Sequence, residues 1–156
     1  MVMIMKGLIV CFAVVVSVVF GCGSVYAASN TLSKRPSNIN VVSVGGTGVA
    51  TLGLVGSDFA PGKAGGLKKL LGVEWSTTSY PQNVRERVEL CYYRPYNTAQ
   101  KTCVPIHPDS SGTLSDFNDQ RFGNGAGVII YHHVQGGGAR IGYPAGNDSV
   151  TFRYAD

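Results

Sequence analysis

Short apolar runs separated by glycine and proline breaks fill the chain from residue 39 onward, and the recurring rhythm is alternation at every second position. The clearest case is Arg87-Val88-Glu89-Leu90-Cys91-Tyr92. On a strand, Val88, Leu90 and Tyr92 share one face and Arg87, Glu89 and Cys91 the other. Residues 148–154 repeat the rhythm, with Val150, Phe152 and Tyr154 facing inward and Ser149, Thr151 and Arg153 outward. Residues 73–78 alternate around Trp75, the single tryptophan. Residues 127–134 form the most apolar run outside the N-terminus, and their length and β-branching predict a buried strand. Residues 102–106 read as the partner of 87–92, with Pro105 marking an edge strand. The 94–101 connection between them carries the turn residues Pro95, Tyr96 and Asn97.

The remaining segments are weaker. Residues 39–44 and 49–55 are short β-branched runs split by a glycine turn at Gly45, Gly46 and Gly48, and residues 140–143 are short and extended. Residues 28–38, 58–66 and 109–113 read as a flexible leader, a loop and a turn. Residues 67–71 suit one helical turn stopped by Gly72. Phe117 and Phe122 sit in a stretch with no sustained helical period, and Gly136-Gly137-Gly138 breaks the chain before its last strands. About seven or eight short strands and no helix beyond about six residues predict an all-β fold, a β-sandwich or partly closed barrel.

Residues 1–27 follow a different pattern. Lys6 precedes an apolar run over 7–20, and Val25-Tyr26-Ala27 offers a cleavage site after Ala27. The run is short for a membrane span, which needs about 20 apolar residues. The expectation is a cleaved export signal, a leader over 28–38, a single β-rich domain over 39–156 and no stable membrane span in the mature chain. Val19-Phe20-Gly21-Cys22 is a competing lipoprotein-type box, with Cys22 as the lipid-bearing residue. Export leaves Cys91 and Cys103 as the cysteines of the mature chain, and an isolated pair in an oxidising compartment predicts a disulfide. Zinc is the weaker alternative, because two cysteines without nearby histidine fill half a shell. Cys-x-x-Cys redox spacing is absent.

Composition narrows the chemistry. The 156 residues carry 13 Lys+Arg against 9 Asp+Glu, a net charge of +4. That is too mild and mixed a balance for a nucleic-acid footprint. The glycine cluster at 45–48 lacks the Lys-Ser/Thr pair of a phosphate loop. His132 and His133 point to opposite faces of a strand and His107 is distant, so no metal set forms. Ser110 and Ser111 lack a nucleophile elbow. No catalytic residue, cofactor or metal site is assigned, and the chain is not read as an enzyme. Tyr92, Tyr93 and Tyr96, with Trp75, are a candidate stacking platform, although tyrosine is also an ordinary strand residue.

An ordered set of blocks resembles the periplasmic flagellar accessory protein family FlhE. It runs Val73-Glu74-Trp75, then Arg87-Val88-Glu89-Leu90-Cys91 and Thr102-Cys103-Val104, then Ser111-Gly112-Thr113 and Phe117. It closes with Val134-Gln135-Gly136-Gly137-Gly138-Ala139-Arg140, Pro144 and Asn147-Asp148-Ser149-Val150-Thr151-Phe152-Arg153-Tyr154. Residues 28–72 lie outside the blocks. The resemblance implies a small β-rich periplasmic protein that is not an enzyme. It also implies a role in flagellar assembly and swarming, by chaperone-like action or by limiting proton leakage through the export apparatus. The implied partners are flagellar structural or export components, met by an edge strand or a Tyr/Arg patch. Trp75, Tyr92, Arg140 and Tyr143 are the candidate contacts. The alternative from another class is an exported module that binds carbohydrate or a surface ligand.

Overall fold

β-Branched and aromatic residues at every second position leave no helical stripe to bury, and strands are what forms. A computed structural model describes residues 29–37, 39–42 and 44–156. The expected export signal, with Cys22 and the cleavage site, lies outside the described residues. The strands are β1 (Asn30–Lys34), β2 (Val41–Val42), β3 (Gly46–Gly53), β4 (Lys68–Ser76), β5 (Arg85–Arg94), β6 (Asn97–Ile106), β7 (Ser111–Leu114), β8 (Arg121–Phe122), β9 (Gly127–Gln135), β10 (Ile141–Gly142) and β11 (Ser149–Ala155). Among the described residues the one helical element is a single 3-10 turn, Gly56–Asp58.

One antiparallel sheet runs β1-β11-β4-β7, with β8 adding a short pair to β4. The other runs β3-β9-β5-β6, and β10 and β2 make a small two-stranded sheet. The inward faces of the two large sheets share one core. Val73, Val150 and Phe152 come from the first, and Leu52, Val88, Leu90, Val128 and Ile130 from the second. Each such side chain contributes about 1.5–3 kcal/mol on full burial. The loop after β7 supplies Phe117, stacked on Tyr92 at 5.6 Å. Phe122 lies 5.4 Å from Phe152 across the same core. The fold is therefore all-β, a two-sheet sandwich, as the alternation predicts.

Local expectations fail where apolar pattern and pairing part company. The leader expected to be flexible contains β1, which pairs with β11 from Asn30↔Tyr154 to Lys34↔Val150. Main-chain pairing, polar contacts and Leu32, packed against the core, hold it. Ser33 and Thr151 hydroxyls meet at 2.7 Å, and Lys34 Nζ lies 2.6 Å from Asp58 Oδ1. The helical turn expected at 67–71 is the start of β4. Lys68 and Leu70 face inward there, and buried Lys68 is satisfied by Asp156 at 3.0 Å and the Gly65 carbonyl at 3.2 Å. A lysine at an inward position conceals the alternation. Gly46 and Gly48 lie within β3, and the turn expected at 109–113 yields β7. The 94–101 connection shrinks to a tight turn at Pro95 and Tyr96, because β6 begins at Asn97.

Candidate functional site

Cys91 and Cys103 face each other across β5 and β6 and form a disulfide. Cys91 is fully buried, whereas Cys103 lies on the exposed edge strand. The four candidate contacts occupy three different places. Trp75 is partly buried on β4, its ring against Gly112 of β7, where an added Cβ would stand 3.1 Å from Cζ2. Its indole N–H is buried with no hydrogen-bond partner among the described residues. Tyr92 is a correction: it is 2 % exposed, and its hydroxyl donates to the Arg121 carbonyl at 2.6 Å. Its inward position on β5 makes it a core residue, with burial holding its phenol well above the ordinary range. Arg140 and Tyr143 are exposed and flank β10, and the Tyr143 N–H donates to Gln82 Oε1 at 2.9 Å. The glycine run before them packs on the chain itself. Gly136 O accepts from Asn83 Nδ2 at 2.8 Å, and Gly137, at φ 124°, leaves no room for a Cβ against the Gln82 carbonyl.

A buried ionic cluster is the feature that the sequence reading missed. His132 on β9 is 1 % exposed. Its Nδ1 donates to Glu86 Oε1 at 2.8 Å and its Nε2 to Asp148 Oδ2 at 3.1 Å. The free carboxylate oxygens are also engaged, since the Tyr80 N–H donates to Glu86 Oε2 and the Thr78 N–H to Asp148 Oδ1. Burial alone would lower the imidazole's pKa. The hydrogen bonds and charges of Asp148 and Glu86 outweigh it and raise the value to about 9. The ring is therefore an imidazolium at neutral pH, without a lone pair for base catalysis. Space beside Tyr80 and Asp148 amounts to about 10 Å³, no more than one water. The cluster joins β5, β9, the residues after β4 and the entry to β11. Its geometry is that of a structural clamp. The sequence alone puts His132 and His133 on opposite faces of a strand and gives neither a partner. The signal available was an inward-facing His132 on an otherwise apolar strand face, since a buried imidazole needs hydrogen-bond partners for both ring nitrogens.

The molecule does present one aromatic groove. Of the three tyrosines in the expected platform, Tyr92 and Tyr93 are buried and Tyr96 is 80 % exposed. Tyr96 occupies the second position of the β5–β6 turn, after Pro95, at φ 56°. That conformation costs a residue with a Cβ about 1–2 kcal/mol and is ordinarily left to Gly or Asn. Tyr96 is clamped there. Its N–H donates to Gly125 O at 3.1 Å, its hydroxyl accepts from Asn124 Nδ2 at 2.8 Å, and its ring rests against Gly125. The Gly125 N–H is in turn fixed to the Leu54 carbonyl at 2.9 Å. Arg94, Arg121, Leu67 and the glycine loops at 65–66 and 123 complete an open groove of about 500 Å³. No group of three or more His, Cys, Asp or Glu among the described residues is arranged for a metal. No described helix is long and apolar enough to cross a membrane.

This chain is similar to a crystal structure of FlhE. The two align at a TM-score of 0.49 and 17% sequence identity, over 83% of this chain and 97% of that one. No protein-family model matches the chain, and no curated protein matches it in sequence.

Proposed function

We propose that this chain is a non-enzymatic accessory protein of the flagellum, exported to the periplasm. It supports assembly and swarming by chaperone-like action or by limiting proton leakage through the export apparatus. The observation that carries the reading is the ordered set of sequence blocks from Val73 to Tyr154. Those blocks fall on the framework of the sandwich: the Trp75 segment of β4, the disulfide-linked arms of β5 and β6, the glycine run seated on Gln82 and Asn83, and β11 at the centre of its sheet. A flagellar or export component has two surfaces to meet. One is β6, an edge strand paired only to β5 and exposed over most of its length, suited to strand addition. The other is the Arg140 and Tyr143 pair flanking β10, with Trp75 a third candidate elsewhere.

The test is a chromosomal deletion in the source strain, scored for flagella, swarming, flagellar position and proton leakage and complemented in trans. Altered swarming or leakage, rescued by the wild-type copy, supports the reading. An unchanged phenotype on every measure overturns it. An Arg140→Glu, Tyr143→Ala copy is expected to restore less than half of the lost swarming while accumulating normally. Full rescue by that copy would remove the β10 surface and leave the β6 edge.

A further inference from the structure

The Tyr96 groove serves neither the core nor the His132 clamp, and the blocks that carry the flagellar reading do not include Pro95, Tyr96 or Arg121. We propose that it is a binding site for an acidic sugar, with a pyranose ring stacked on Tyr96 and its carboxylate held by Arg94 and Arg121. Three observations converge. The first is backbone strain spent on an exposed ring: Tyr96 sits at φ 56° where glycine would fit freely, yet its side chain is 80 % exposed. The ring is held at its N–H, its hydroxyl and its contact with Gly125, so it presents a fixed face and loses little entropy on stacking. The second is charge. The lining contains Arg94 and Arg121 and no aspartate or glutamate. Arg94 commits only Nε, to Gln120 Oε1 at 2.8 Å, and the Arg121 guanidinium has no ion-pair partner among the described residues. Guanidinium forks suit a carboxylate. The third is shape. The groove lies at the turn end of the β5–β6 hairpin and meets strands at Arg94, Asn97 and the two-residue β8. That is too short a length of strand for an extended peptide to pair along, which leaves a ring face, two cations and the Asn124 amide to make the contact. Its volume falls in the usual range of about 300–1,000 Å³ for small-ligand sites.

The experiment titrates protein expressed from the full chain with a galacturonic acid trimer, a neutral galactose trimer and a hexaglutamate peptide, by calorimetry at low salt. Saturable binding of the galacturonate trimer is expected, at least tenfold tighter than either control and weakening as salt rises. Tyr96→Gly is expected to cost at least tenfold in affinity while the thermal midpoint stays level or rises, since glycine relieves the left-handed strain. A merely structural Tyr96 would lower the midpoint instead. Arg121→Gln is expected to cost a similar factor toward galacturonate and nothing toward the neutral trimer. Absence of galacturonate binding at millimolar concentration overturns the proposal. So does hexaglutamate binding as tightly as the sugar acid, or full affinity in Tyr96→Gly. None of these outcomes depends on the flagellar reading, whose failure is read from swarming alone.

Discussion

Single positions in this fold differ sharply in what they tolerate, and the glycines show it best. Gly127 opens β9 opposite Gly53 of β3, and an added methyl there would stand 2.7 Å from the Leu52 carbonyl and would collide with the Tyr93 hydroxyl. A backbone carbonyl in a paired strand has little room to yield. Gly127→Ala is therefore expected to destabilise the protein by about 1–3 kcal/mol, the usual range for overpacking. Gly138, in the run after the same strand, has open space where its Cβ would go. Gly138→Ala is expected to stay within about 0.5 kcal/mol of the parent. Urea denaturation of the two variants side by side checks the contrast; equal midpoints would mean that the close approach of β3 to β9 at Gly127 is not maintained in solution. Tyr96 is the opposite case, a side chain where glycine would be comfortable, and the difference in physical logic marks it as a surface residue held for contact.

Between elements, the β5–β6 hairpin carries both the disulfide and the groove. Closing a loop of this length removes unfolded-chain entropy worth about 3 kcal/mol. The double variant Cys91→Ala, Cys103→Ala is expected to lose about 2–3 kcal/mol by denaturant titration, and the non-reduced mature protein, cleaved after Ala27 and so without Cys11 and Cys22, to show no alkylatable thiol. Two reactive thiols in protein from an oxidising compartment would overturn the pairing. The hairpin also shows which parts of the fold are legible in sequence. Val88, Leu90 and Tyr92 announce their strand because every inward position is apolar, and Val150, Phe152 and Tyr154 do the same for β11. β1 announces little, because Leu32 is the one apolar side chain it sends toward the core and its pairing with β11 is made by the main chain. β4 hides behind Lys68, an inward lysine whose partner, Asp156, lies in a distant part of the sequence. The groove was half legible: Pro95-Tyr96-Asn97 reads as a turn and the tyrosines as a platform. Burial of Tyr92 and Tyr93 depends on long-range packing against Phe117, Gly53 and Gly127, which no local pattern encodes. The His132 clamp was least legible, since its acids lie 46 and 16 residues away in the chain.

At the scale of the molecule, that clamp makes stability depend on pH in a direction that its charges dictate. His132 is flanked by Glu86 from β5 and Asp148 from the entry to β11. Tyr80, from the loop after β4, packs edge-on at 5.3 Å. The tyrosine stays neutral throughout, its phenol pushed up to about 12 by burial and then by the Asp148 and Glu86 charges. The imidazole is the titrating group, with a folded value of about 9 against 6.5 for the free side chain. The folded state holds its proton more tightly than the unfolded state, so folding takes up a proton between those values. The stabilisation is complete below about pH 6.5 and is lost as pH rises through about 9, and its size is on the order of 3 kcal/mol. Above that window a neutral ring has one N–H for two buried carboxylates, and one acid is left facing a lone pair. The midpoint of urea unfolding is therefore expected to fall between pH 6.5 and pH 9.5 in the parent protein. His132→Ala is expected to lose about 3–5 kcal/mol at pH 6.5, because it strands two like charges in the interior. The same variant should lose most of the pH dependence across the window. The triple variant His132→Leu, Glu86→Gln, Asp148→Asn removes the charges together and is expected to flatten the profile while recovering part of the stability. A parent profile that is level from pH 6.5 to pH 9.5 would show that His132 is the neutral ring when folded, and the clamp would then rest on one donated hydrogen bond rather than two.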